Sequence, residues 1–122
     1  MTVVYIAAPY HGESQAEIRS NIRRAEMLAA IAVRGGFAPI VIHAAIANGA
    51  YGDDRVPAER ERGLQAACEL AARADQLWIL REWCGDVSRG CQEERDAFLF
   101  AKGAGGVIVY FTQRELEIEY WK

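Results

Sequence analysis

Four short apolar runs, separated by segments with helical spacing, constrain this chain more than any other feature. Residues 2–7, Phe37–Ile42, Gln76–Leu80 and Val107–Phe111 are rich in β-branched and aromatic residues, and they lack the apolar–polar alternation of a half-exposed strand. The first of them reads as a strand buried on both faces, and Leu77–Leu80 reads as a buried strand. Alternating strands and helices predict an α/β fold: a single-domain, doubly wound, flavodoxin- or Rossmann-like parallel sheet of four to five strands with helices on both faces. Right-handed crossovers put the first strand in the interior of the sheet. With 122 residues and no linker, repeat or low-complexity segment, the chain reads as one domain over 1–122.

The intervening helices carry their own signals. Ser14 caps a helix, with Glu17 three residues on as a capping box, and Gly35-Gly36 ends it. Ile18, Ile22, Ala25, Ala29 and Ala32 form its apolar stripe. Pro39 in the second run suits an edge strand, because proline donates nothing to a ladder. A helical turn fits Ala44–Ala50, and a third helix fits Pro57–Ala74, with proline in its first turn. A fourth fits Val87–Lys102, and Gly103–Gly106 reads as a turn. In the tail 112–122, Leu116, Ile118 and Tyr120 alternate with Glu115, Glu117 and Glu119. An edge strand, a docked helix and a subunit contact all fit that pattern.

Charge and composition exclude several function classes. A net charge of −3 leaves no basic footprint for a nucleic-acid polymer. No apolar run approaches the roughly 20 residues that span a bilayer, and the N-terminus lacks the basic region of a signal peptide. Cys68, Cys84 and Cys91 are odd in number and lack zinc spacing. The expectation is a cytoplasmic protein with reduced thiols, no metal and no cofactor.

The chemistry concentrates after the third run, in Gly85–Ala97. Ser88 and Gly90 stand where a helix opens. Backbone N–H groups are free there and the dipole favours an anion. One turn further in lies Glu94. Gly90, Glu94, Ala97 and Ala101 are spaced to share one helix face whose other members are small or apolar. A carboxylate on such a face is costly unless it is paired or used. In a parallel sheet, ligands bind beyond the C-terminal strand ends at the switch point. Those ends deliver Pro9-Tyr10-His11-Gly12, His43, Arg81-Glu82-Trp83 and the Ser88 turn to one rim.

The run Tyr5-Ile6-Ala7-Ala8-Pro9-Tyr10-His11-Gly12, with Asn21, Gly36, Pro39-Ile40, His43, Asp75, Trp78 and Ser88-x-Gly90-x-x-x-Glu94-x-x-Ala97, resembles nucleoside 2-deoxyribosyltransferase-like domains over about residues 2–111. That superfamily includes deoxyribosyltransferases and nucleoside 5′-monophosphate N-glycosidases. The resemblance implies that Glu94 attacks the anomeric carbon. It also implies that serine, at the Ser88 position, marks the phosphate-binding hydrolases, where the transferases carry a sugar-contacting aspartate. One departure is visible. Members often carry an aspartate in the helix before the third strand, and counting places Ala67 there, with Glu61, Gln65 and Glu69 as nearby substitutes.

The expected function is cleavage of the N-glycosidic bond of a nucleoside 5′-monophosphate, with Glu94 as nucleophile. Ser88, the N–H groups of Arg89 and Gly90, and the Gly12 loop would hold phosphate. Tyr10 would orient Glu94 or the sugar, His43 would contact base or phosphate, and Trp83 would stack on the base. The alternatives are base transfer between deoxynucleosides, or a non-catalytic module that binds or sequesters a nucleotide. The resemblance further implies a homodimer or larger homo-oligomer.

Overall fold

The computed structural model describes residues 1–122. Four strands form one all-parallel sheet in the order β2-β1-β3-β4. They are β1 (Val3–Ala7), β2 (Ala38–Ile40), β3 (Gln76–Leu80) and β4 (Val107–Phe111). The helices are α1 (Gln15–Arg34), α2 (His43–Ala47), α3 (Pro57–Arg73), α4 (Arg89–Lys102) and α5 (Gln113–Tyr120). β1 and β3 are interior and almost wholly buried, as their unbroken apolar runs require. β2 is an edge strand of three residues, shorter than the apolar run that contains it, and Pro39 sits in its middle.

Side chains alternate across the sheet and divide the core in two. Val4, Ile6, Trp78 and Leu80 pack under α1, with Leu116 of α5 joining them. Tyr5, Ala7, Leu77 and Ile79 face the other way, against Ala67 and Ala71 of α3 and Cys91 and Phe98 of α4. The chain leaves β1 toward β2 in one direction and β3 toward β4 in the other, so the winding reverses between β1 and β3. Any ligand crevice belongs above their C-terminal ends.

One local expectation needs correction, and one open alternative is decided. At the start of α1 the Ser14 oxygen accepts from Glu17 N at 3.2 Å, but the Glu17 carboxylate reaches back to Glu13 N at 2.6 Å rather than to the cap itself. The tail is a helix, not an edge strand. Thr112 and Glu115 form a reciprocal capping box that starts α5. Leu116 is completely buried, while Ile118 is half exposed. Arg24 Nη1 donates to Gln113 Oε1 and Glu117 Oε1, each at 3.1 Å, and Gln113 Nε2 donates to Arg81 O at 2.8 Å. A cap and a one-sided anchor therefore decide a pattern whose six alternating positions fit either period.

Leu116→Ala and Ile118→Ala separate these two geometries. A docked α5 predicts a loss of about 2–5 kcal/mol for Leu116→Ala in denaturant unfolding and no more than about 0.5 kcal/mol for Ile118→Ala. Equal losses at both positions would contradict the helix.

Candidate functional site

Above the β1 and β3 ends lies a cleft of about 520 Å³. Three connections wall it. The β1–α1 loop contributes Pro9, Tyr10 and His11, the β3–α4 loop contributes Glu82 and Ser88, and the segment from α2 into α3 contributes Tyr51, Asp54 and Glu61.

Each wall is fastened by identifiable contacts. Asn21 Nδ2 of α1 donates to the carbonyls of Tyr10 at 3.1 Å and His11 at 3.0 Å. Gly12 packs on Glu17 so closely that a Cβ would lie 2.5 Å from Glu17 Cβ. In the facing wall, a Cβ on Gly63 would lie 2.5 Å from Tyr51 O, so α3 needs glycine where the Tyr51 loop crosses it. His11 Nδ1 and Asp54 Oδ2 approach to 3.4 Å and bridge the two walls. In the third wall, Arg81 Nη1 donates to Gly85 O at 3.1 Å, and Gly85 takes the left-handed conformation with φ 93°.

Glu94 lies in the floor, 9% exposed. It sits on α4 between Cys91 and Phe98, the other two buried residues of that helix. The buried face is thus rotated from the expected Gly90–Glu94–Ala97–Ala101 row, and Ala101 is exposed. The reason is the bulk of Cys91 and Phe98, which fill the space beneath α4 that the smaller alanines leave. Glu94 belongs to both rows.

The partner of Glu94 is Tyr5, whose hydroxyl donates to Glu94 Oε2. Burial pushes the Glu94 carboxyl up to about 7. The Tyr5 hydrogen bond opposes that shift and nearby Glu93 adds to it. Tyr5 is driven well above its ordinary value, first by burial and then by the Glu94 charge, so it remains a donor. The sequence reading missed Tyr5 and gave an orienting role to Tyr10. Tyr10 lines the cleft, and the Glu94 hydrogen bond comes from Tyr5. The available signal was a tyrosine in a strand buried on both faces, because a buried phenol needs a partner.

At the start of α4, Ser88 Oγ accepts from Cys91 N at 3.3 Å, and Gln92 N bonds Ser88 O at 2.9 Å. The N–H groups of Arg89 and Gly90 are the first two of the helix and have no place in its ladder. Ser88, Arg89 and Gly90 all line the cleft, and a Cβ on Gly90 would meet open space.

His43 also lines the cleft. Its Nε2 donates to Ala8 O at 3.0 Å, which ties α2 to the end of β1. Burial lowers its basicity, and Nδ1 is buried with no partner. A neutral ring whose one donor is already engaged has nothing to offer a phosphate oxygen.

Two expected site residues lie elsewhere. Trp83 is 70% exposed and outside the cleft lining, with the Arg24 guanidinium 4.5 Å over its ring. The cation draws it toward the α1 face of the sheet. Gly12 also lies outside the lining and supports the loop through Glu17 instead. Ala67 of α3 also lines the cleft. Among Glu61, Gln65 and Glu69, Glu61 lines it.

The fold and cleft define a doubly wound parallel α/β domain with a buried carboxyl at its switch point. The chain belongs to the family described as a domain of unknown function (DUF7768), whose pattern matches residues 2–105. No curated protein and no solved structure matches it. No helix is long and apolar enough to cross a membrane, and Cys68, Cys84 and Cys91 are free.

A raised carboxyl pKa is a stability statement. The folded value of about 7 exceeds the ordinary 4.5, so between them the native state holds more protons than the unfolded state, and stability falls as pH rises through that window. Glu94→Gln keeps an acceptor for Tyr5 and removes the charge. Thermal unfolding should show little change at pH 4 and stabilisation on the order of 3 kcal/mol at pH 8. Equal effects at both pH values would contradict a buried, neutral-poised Glu94.

Proposed function

We propose that this domain cleaves the N-glycosidic bond of a nucleoside 5′-monophosphate, with Glu94 as the nucleophile. One observation carries the reading: a buried carboxyl in the floor of the switch-point cleft, six residues along α4 from a serine cap with two free N–H groups beside it. The phosphate sits at Ser88, taking the N–H groups of Arg89 and Gly90 and the Ser88 hydroxyl proton. The sugar then lies over Glu94.

The C1′–N bond breaks with its electron pair going to the base, through an oxocarbenium-like transition state that the adjacent carboxylate stabilises. A Glu94 oxygen bonds to C1′. Water then attacks C1′, its proton passes to the departed base, and Glu94 is released as carboxylate. Tyr5 holds Glu94 in place by donating to Oε2, which leaves Oε1 for the sugar. Tyr10 and Tyr51 supply flat cleft walls for the sugar and base. The reading places the reaction in the cytoplasm, where the three thiols stay reduced. It includes self-association, supported by Phe100, 95% exposed on α4, and by the uncovered outer edge of β4.

A second reading, a module that binds the nucleotide without cleaving it, is favoured by the Ala67 methyl where deoxyribosyltransferase-like domains often carry an aspartate. Base transfer between deoxynucleosides uses the same Glu94 chemistry, with a second base in place of water.

The purified protein, incubated with ribo- and deoxyribonucleoside 5′-monophosphates and the matching nucleosides, should release free base from the phosphorylated compounds. Release should rise with pH through about 7 as Glu94 ionises. Glu94→Gln should lower the rate by roughly 10³-fold or more. Ser88→Ala should raise KM for the monophosphate by about tenfold, one charge-assisted hydrogen bond's worth. Binding of monophosphates without any base release would favour the second reading, and neither binding nor release would sink both.

A further inference from the structure

The Ser88–Arg89 turn has an opening on each side. Beside the cleft runs an open groove of about 530 Å³. Glu82, Ser88 and Arg89 line both. Gln92 and Arg95 line the groove from the flank of α4 opposite Gly90 and Glu93, which line the cleft. The two spaces therefore meet over one turn of backbone.

The groove differs in chemistry from the cleft. Its lining is almost wholly polar, with three guanidinium groups, Arg81, Arg89 and Arg95, against two carboxylates, Glu82 and Asp86. Arg81 is fixed from two directions, by its hydrogen bond to Gly85 O at 3.1 Å and by the Tyr110 ring 4.5 Å below its guanidinium. The Arg95 side chain is 29% exposed, and its nearest carboxylate, Asp96, stands off at 3.9 Å. Arg89 reaches Glu93 at 3.7 Å, beyond hydrogen-bonding distance. Glu93 and Asp96 thus stand too far off to hydrogen-bond Arg89 and Arg95, which leaves guanidinium donors free toward the groove. Planar guanidinium donors suit phosphoryl oxygens, and a groove with Val87 as its one apolar residue does not suit a base.

We infer that the site takes a nucleotide 5′-pyrophosphate: the first phosphate rests on the Ser88 turn and the second lies in the arginine groove, with Arg81 and Arg95 as its ligands. This rests on the nucleotide reading of the cleft and narrows its substrate class. The same pyrophosphate chemistry occurs in a nucleoside diphosphate and in a dinucleoside pyrophosphate.

Calorimetric titration of the full chain carrying Glu94→Gln, which prevents turnover, tests it. The probes are a nucleoside 5′-monophosphate, the diphosphate and the dinucleoside pyrophosphate of the same base. At least one pyrophosphate ligand should bind about tenfold or more tighter than the monophosphate, and whichever is tighter identifies the source. The advantage should shrink as salt is raised. Arg95→Gln and Arg95→Ala should each abolish it while leaving monophosphate affinity within about twofold, which also reports that the variants are folded. Monophosphate binding with no pyrophosphate advantage overturns this inference alone. Binding of none of the three overturns it together with the nucleotide reading.

Discussion

The hydrogen bond from the Tyr5 hydroxyl to Glu94 is the contact on which the rest of this structure depends. It joins the central strand β1 to helix α4 across 89 residues of chain, in a place where neither group meets solvent freely. A buried carboxyl without a partner is expensive, and a buried phenol without one is nearly as poor. Each relieves the other. The pairing works only if β1 is interior, if Tyr5 faces the α3/α4 side with Leu77, and if α4 starts above the β3 end. The strand order and the register supply all three conditions.

The two faces of the sheet do different work. On one face α1 and α5 seal the core, tied by Arg24 to Gln113 and Glu117 and by Arg34 Nη1 to Tyr120 O at 2.9 Å. On the other, α3 approaches through Ala67 and Ala71, small residues that leave the cleft open above Glu94. Burial and nearby Glu93 make Glu94 reluctant to ionise, while the Tyr5 donor favours negative charge. A carboxyl poised near neutrality, six residues along the helix from its serine cap, is the result, and it costs the fold stability at high pH. Such a tension between folding and charge is typical of functional sites.

Much of this was legible in the amino-acid order. Gln76–Leu80 and Val107–Phe111 announce strands because no polar residue breaks their apolar cores, and the structure places β3 and β4 there, β3 buried in the interior and β4 half exposed at the sheet edge. Ser14 and Ser88 mark helix starts because a serine oxygen can satisfy an orphan N–H, and both do so. The parallel doubly wound architecture follows from alternation alone. What the sequence leaves open or misplaces depends on tertiary contacts. The tail alternates in glutamate and apolar residues over too few positions to separate the two periods, and its docking on α1 through Leu116 is invisible locally. The face of α4 was misjudged by about a quarter turn because helical spacing does not say whether Ala97 or Phe98 meets the sheet. Trp83 follows Arg24, which lies 59 positions earlier in the chain. Tyr5 reads as strand in the sequence, and the need of its buried hydroxyl for a partner is the clue to its place in the site.

The most direct test is titration of the Glu94 carboxyl itself, followed by carbon NMR on protein with isotopically labelled glutamate and assigned with Glu94→Gln. The account predicts a midpoint near 7, rising further in Tyr5→Phe, because that change removes the hydrogen bond that favours the carboxylate. A midpoint in the ordinary range near 4.5, unmoved by Tyr5→Phe, would contradict it.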